Sequence, residues 1–222
     1  MVEDIDMLFH EAAKSVDSGD YESAIKKYEL ILRKEKDNSM ALWALGFFYF
    51  KTAVLNPDEH GGRLGSAKSL FESLLKIKRI KLDELRRQRW YCIDDLACLG
   101  WIFHEMEAYE PAKNCFKESL GLWRHNVPAL SGMGIALLKT GKNGEGVSYL
   151  EEALNFGKKY VNGEIYEGAG REKRFLVARS FIIAFDTLRR ESGSRGWMGF
   201  FSALGYSYQK GRYERILERD LV

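Results

Sequence analysis

The sequence predicts an all-α chain of stacked antiparallel helix hairpins, and three observations carry that prediction. One pattern is written twice, 34 residues apart: Leu96, Leu99, Gly100, Phe103, Ala112, Phe116, Ser119 and Leu120 recur as Leu130, Met133, Gly134, Leu137, Gly146, Leu150, Ala153 and Leu154. An ungapped period of this size marks a stacked helical repeat. Only three prolines occur, Pro57, Pro111 and Pro128, and each is expected in a loop or a first helical turn, because interior proline breaks a helix. Elsewhere apolar residues fall at three- and four-residue spacing, with turn-forming residues between the runs.

In chain order, Ile5, Leu8, Ala12 and Val16 set a first helix, and Gly19-Asp20-Tyr21 turns the chain. Ala24, Ile25, Tyr28, Ile31 and Leu32 mark a second helix that runs out in the charged segment 33–38, so 5–38 forms one hairpin. Leu42, Leu45, Gly46 and Tyr49 begin another hairpin over 39–81, but Ala67, Phe71, Leu74 and Leu75 follow only after about nine extra residues. Asn56, Pro57, Asp58, Gly61 and Gly62 favour turns, so this insertion is expected as a protruding loop over 53–65. Residues 82–92 read as a helical extension that lengthens the third hairpin's first helix backwards, or as a separate short helix. Hairpins at 93–126 and 127–160 complete a domain of four over 1–160. The remainder, 161–222, reads as a loop to Arg171, a helix over 172–190 and a degenerate repeat at 197–221 around Leu204, Gly205 and Tyr208.

With 34 basic and 32 acidic side chains, the net charge of +2 gives no global preference for nucleic acid, membrane or an acidic substrate. Locally, Lys76, Lys78, Arg79, Lys81, Arg86, Arg87 and Arg89 are opposed only by Asp83 and Glu84. That segment reads either as a solvated helix face or as a surface for an anionic partner. Cys92, Cys98 and Cys115 are odd in number and lack a CxxC pair, so reduced thiols in a cytoplasmic protein are expected, without disulfides or a zinc site. The acidic N-terminus, Met1–Asp6, lacks the regions of a secretory signal. The longest apolar run, Ala41–Phe50, falls far short of the ~20 residues of a membrane helix. Neither export by that route nor membrane insertion is expected.

Leu99-Gly100 with Phe103, then Tyr109, Ala112, Phe116 and Leu120, resembles the signature of tetratricopeptide repeats. Met133-Gly134, Leu137, Gly141, Gly146, Leu150, Ala153 and Leu154 do so nearly as well, and Gly19, Tyr21, Ala24, Tyr28 and Leu32 carry half a copy. The resemblance covers 5–160 well and 197–221 weakly, and it implies a right-handed superhelical solenoid with additional C-terminal helices. Small residues where paired helices touch let the backbones approach, and large apolar side chains fill the adjacent holes. Glu11 and Ser15 depart from the pattern, as expected for a terminal repeat facing water. Leu8, Leu42, Leu96 and Leu130 stand where the family often has tryptophan.

In that family the first helices line a concave groove. The resemblance thereby implies a lining of Phe9, His10 and Ala13, of Trp43, Phe47 and Phe50, of Asp94, Cys98, Trp101 and His104, and of Ser131, Ile135 and Leu138. Members that grip a C-terminal carboxylate use Lys, Asn and Arg, whereas Phe9, Ala13, Ala44, Asp94 and Cys98 stand here, so that activity is not implied. A stripe this apolar is costly to leave wet. Its cover is expected to be a partner's amphipathic helix or apolar peptide, or the chain's own 172–190, returned by the loop before it, unless 172–190 instead continues the stack.

His10 and His104 have no second ligand or nucleophile at a recognised spacing and read as polar packing. Gly132, Gly134, Gly141 and Lys142 lack the spacing of a phosphate-binding loop. No enzyme, metal or cofactor is expected. The leading expectation is a scaffold or adaptor that binds a protein or peptide, a second copy of the chain among the candidates, through Phe9, His10, Trp43, Phe47, Phe50, Trp101, His104, Ile135 and Leu138. The alternative, less favoured, is nucleic-acid or polyanion binding through 76–89, with Trp90 and Tyr91 for stacking.

Overall fold

The computed structural model of the chain describes residues 4–56, 58, 60–85, 93–161 and the helical positions 176–180, 182–184 and 186–187. In order the helices are α1 (Ile5–Asp17), α2 (Tyr21–Lys34), α3 (Ser39–Leu55), α4 (His60–Leu85), α5 (Ile93–Glu105), α6 (Tyr109–Leu122), α7 (Val127–Lys139) and α8 (Asn143–Val161). Among the described residues there is no strand. The chain divides between Glu107 and Ala108 into two compact units, so the two written copies of the repeat begin in different units.

Local chemistry explains where the helices start. Asn38 and Asn126 cap α3 and α7, each side-chain oxygen accepting a backbone N–H, from Ala41 at 3.0 Å and from Ala129 at 2.9 Å. Asp20 caps α2 by accepting from the Ser23 N–H at 3.0 Å. Hydrogen bonding from Ser23 holds its carboxyl below the ordinary range. Pro111 and Pro128 both lie in first helical turns, where the missing N–H has no intrahelical partner to lose. Pro57 lies outside the described residues.

In the first unit α1 buries Leu8 and Ala12 while α2 buries Ala24, Ile25, Tyr28 and Ile31. The Phe71 ring of α4 lies against Gly46 of α3, 3.0 Å from where a Cβ would stand. Between α4 and α5, Lys78 Nζ donates to Asp95 Oδ2 at 2.5 Å. In the second unit the Phe116 ring of α6 fills the space over Gly132 of α7, and α7 meets α8 where Gly134 faces Gly146. α7 is buried at every position from Val127 to Leu137.

Two expected boundaries are corrected. The insertion at 53–65 is largely helical, because α3 continues to Leu55 and α4 starts at His60. The added turns bury Ala53 and Leu64 and are tied down by polar contacts. Arg63 Nη1 donates to Thr52 Oγ1 at 2.6 Å and pairs with Glu22 Oε1 at 2.7 Å, and His60 Nδ1 lies 3.1 Å from the Ala53 carbonyl oxygen. Residues 82–85 continue α4 rather than extending α5 backwards; their helix propensity is used by the preceding helix. Residues 86–92, the loop expected up to Arg171 and the degenerate repeat expected at 197–221 lie outside the described residues, apart from Val161, which ends α8. Within 172–190 the described positions are helical, and Leu176, Val177, Ala178, Arg179 and Ser180 are all buried.

Candidate functional site

The first unit carries a chain of touching rings. Phe9 of α1 meets Tyr28 of α2 edge-on at 6.1 Å between centroids, and Tyr28 stacks on Phe48 of α3 at 6.0 Å. Phe48 meets Phe47 edge-on at 5.6 Å, and Phe47 stacks on Trp43 at 5.3 Å with the planes 3° apart. Tyr28, Phe47 and Phe48 are buried, whereas Phe9 and Trp43 at the two ends are half-buried. Aromatic contacts of this kind prefer offset or edge geometry and add to the area they bury. Together they make a stiff floor with its two ends reachable from outside.

Polar contacts fix the α2–α3 side of that floor. Lys51 is buried, donates from Nζ to the Tyr21 hydroxyl at 2.8 Å and lies 4.2 Å from the Tyr21 ring centroid. Tyr21 in turn stacks on Phe48 at 5.6 Å. The Tyr49 hydroxyl donates to Glu29 Oε1 at 2.5 Å. Burial, and then the Glu29 carboxylate it donates to, push the Tyr49 phenol up to about 12.

The structure divides the residues expected to line an open groove. His10 is exposed, and Phe9 and Trp43 are half-buried. Phe47, Phe50, Trp101 and Ile135 are instead core residues, Trp101 at 0% exposure. α3, α5 and α7 are rich in apolar residues beyond a single stripe, and these four side chains lie on the faces turned into the core. Cys98 is buried with them, and burial pushes its thiol well above the ordinary value. His104 is half-buried, its ring 5.2 Å from that of Trp101 and its Nδ1 4.0 Å from Glu105 Oε1. Leu138 leans onto α8, with its Cγ 2.8 Å from where a Cβ on Gly146 would stand, so it belongs to the α7–α8 contact rather than to a groove.

Sequence reasoning missed Met40. It is 67% exposed, three residues before Trp43 on the same side of α3. The spacing was visible, but a methionine at a helix start carries no signal of its own exposure.

Of the basic segment, the described side chains are Lys76 and Lys78. Lys76 is exposed, whereas Lys78 is engaged with Asp95, whose side chain is only 2% exposed. Burial lifts the Asp95 carboxyl to about 6 against the opposing pull of Lys78. Arg79 and Lys81 lie on α4 with side chains outside the described set, and Arg86, Arg87, Arg89, Trp90 and Tyr91 lie outside the described residues altogether. Among the described residues no three His, Cys, Asp or Glu side chains are grouped to hold a metal, and no helix is long and apolar enough to cross a membrane.

No protein-family model and no curated protein matches the chain. Solved structures do. "MamA 41-end from Desulfovibrio magneticus RS-1" superposes with a TM-score of 0.57 at 12% identity over 95% of this chain and 95% of that one. "MamA RS-1 ArsTM double mutant" gives 0.56 at 12% identity over 95% and 94%, and "Crystal structure of MamA" gives 0.54 at 13% identity over 100% and 95%. At these identities the likeness is one of fold. Together with the 34-residue period and the glycine contacts between paired helices, it gives the chain a tetratricopeptide-like, all-helical fold.

Proposed function

We propose that the chain is a non-enzymatic protein-interaction scaffold that receives an apolar peptide or helix on the face carrying Phe9, His10, Met40 and Trp43. The observation that carries this reading is the ring chain itself: Trp43 and Phe9 are half-buried at the ends of a floor whose middle is solid core. A partially exposed aromatic held by a buried one makes a pre-organised anchor pocket, the usual centre of a binding hot spot. Phe47 and Phe50 then serve as support beneath the site rather than as contacts. In the second unit, Ser131 and Ile135 of α7 are buried and so are five consecutive residues from Leu176 to Ser180. We read 176–180 as a helix packed inside the second unit, and the candidate face belongs to the first. The buried free thiol of Cys98 suits a reducing compartment such as the cytoplasm. The polyanion reading is not favoured, since Lys78 spends its charge on Asp95.

A peptide library panned against the full chain tests this. Retained peptides should be apolar and should lose about tenfold in affinity, or ~1.4 kcal/mol, on Trp43→Ser while the helical circular dichroism is kept. Affinities indifferent to that substitution refute the assignment.

A further inference from the structure

We infer that the partner of this face is a basic amphipathic helix, an inference that rests on the apolar docking reading above. The charge on the face decides it. Helical spacing places Asp6, Phe9, His10, Ala13 and Asp17 along one strip of α1, away from the Leu8 and Ala12 side that packs on α2. Asp6, Ala13 and Asp17 are exposed and Phe9 half-buried. Glu11 points along the other flank of α1, where it pairs with Lys27 of α2 at 3.2 Å. With Glu11 matched by Lys27, the formal charges left on α1 are those of Asp6 and Asp17 against Lys14. α3 adds Met40 and Trp43 without any exposed charge, since its one charged side chain, Lys51, is buried against Tyr21.

The face is therefore an aromatic and methionine floor edged on its α1 side by carboxylates. Arginine or lysine fits both features at once, because the apolar stem can lie on Phe9 while the charged head reaches Asp6, three residues earlier on the same strip of α1. A helix presents such residues beside leucine-like anchors at three- and four-residue spacing, which matches a shallow floor better than an extended strand does. An acidic helix would set like charge against Asp6 and be rejected.

The test uses the full chain and two labelled probes of about 14 residues, an amphipathic helix of leucine and lysine and its match in leucine and glutamate. The lysine probe should bind about tenfold tighter, and its advantage should shrink between about 50 mM and about 300 mM salt. Asp6→Lys should weaken the lysine probe about fivefold and leave the glutamate probe no weaker, whereas Glu145→Lys at an exposed position of α8 should change neither. Trp43→Ser should weaken both probes; should that variant lose helicity, the exposed Met40→Ser replaces it. Equal binding of the two probes, lost on Trp43→Ser, overturns the basic partner and keeps the apolar site. Absence of binding, or binding insensitive to both Trp43 and Met40, overturns both. A wild-type dimer in sedimentation velocity that Trp43→Ser and Asp6→Lys each dissociate makes a second copy the occupant and also overturns the inference.

Discussion

Gly134 of α7 and Gly146 of α8 hold each other's backbone: a Cβ on either would lie 2.8 Å from the carbonyl oxygen of the other. Backbone atoms cannot swing aside as a side-chain tip can, so the two helices must separate to admit a methyl group. Gly134→Ala and Gly146→Ala should each cost about 1–3 kcal/mol. Gly144→Ala, with open space around its Cβ, should be neutral or stabilising by up to about 1 kcal/mol through helix propensity. Denaturant midpoints measure all three; a Gly134→Ala protein as stable as wild type would contradict the close approach.

Glu107 occupies a glycine's place. Its φ of 58° matches the left-handed turns at Gly19, with φ 77°, and Gly141, with φ 81°. Gly141 stands one repeat period further on. A side chain pays a steric cost there that glycine does not. Glu107→Gly should raise stability by up to about 1 kcal/mol, and Gly141→Ala should lower it by about 1–2 kcal/mol. A thermal melt in which Glu107→Gly unfolds earlier than wild type would count against this account of the turn.

The Asp95 carboxyl is raised from 3.8 to about 6 by burial, with Lys78 pulling the other way. The folded protein thus binds that proton more tightly than the unfolded chain does. Its contribution to stability is full below about pH 4 and is lost as pH rises through about 6. Relative to Asp95→Asn, wild type should therefore lose on the order of 2–3 kcal/mol between those limits. Lys78→Met should destabilise at neutral pH by about 3–5 kcal/mol, because it leaves the buried carboxylate without its cation. Urea titrations at steps of pH read both effects. Parallel stability curves for wild type and Asp95→Asn across this window would rule out the raised carboxyl.

Cys98 is fully buried, with its thiol pushed well above the ordinary value by loss of solvent and then by Asp94 and Asp95. The thiolate is the reactive form, so Cys98 should resist alkylation in the native protein near pH 8 and react only as the protein opens. Cys115, half-buried on α6, should react before it. Peptide mapping of labelling times checks the order; Cys98 reacting as fast as Cys115 would show that the core around α5 is open.

The sequence by itself determined the repeat: a period of 34 residues set the helix pairs and the small residues at Gly100, Gly134 and Gly146. Those features are local or recur at fixed spacing, so they are written in residue order. It also named Phe9 and Trp43, which end the ring chain on the candidate face. Only the tertiary structure decided that Phe47, Phe50, Trp101 and Ile135 are core, since a groove-lining residue and a buried one share the same helical period. Composition likewise read 53–65 as a loop, and it took Arg63 reaching Thr52 and Glu22 to hold those turns as helix. Lys78 looked like one more surface cation until its partner, Asp95, was found 17 residues away on the next helix. A charge's neighbours in sequence describe its solvent; its neighbours in space decide whether it has any.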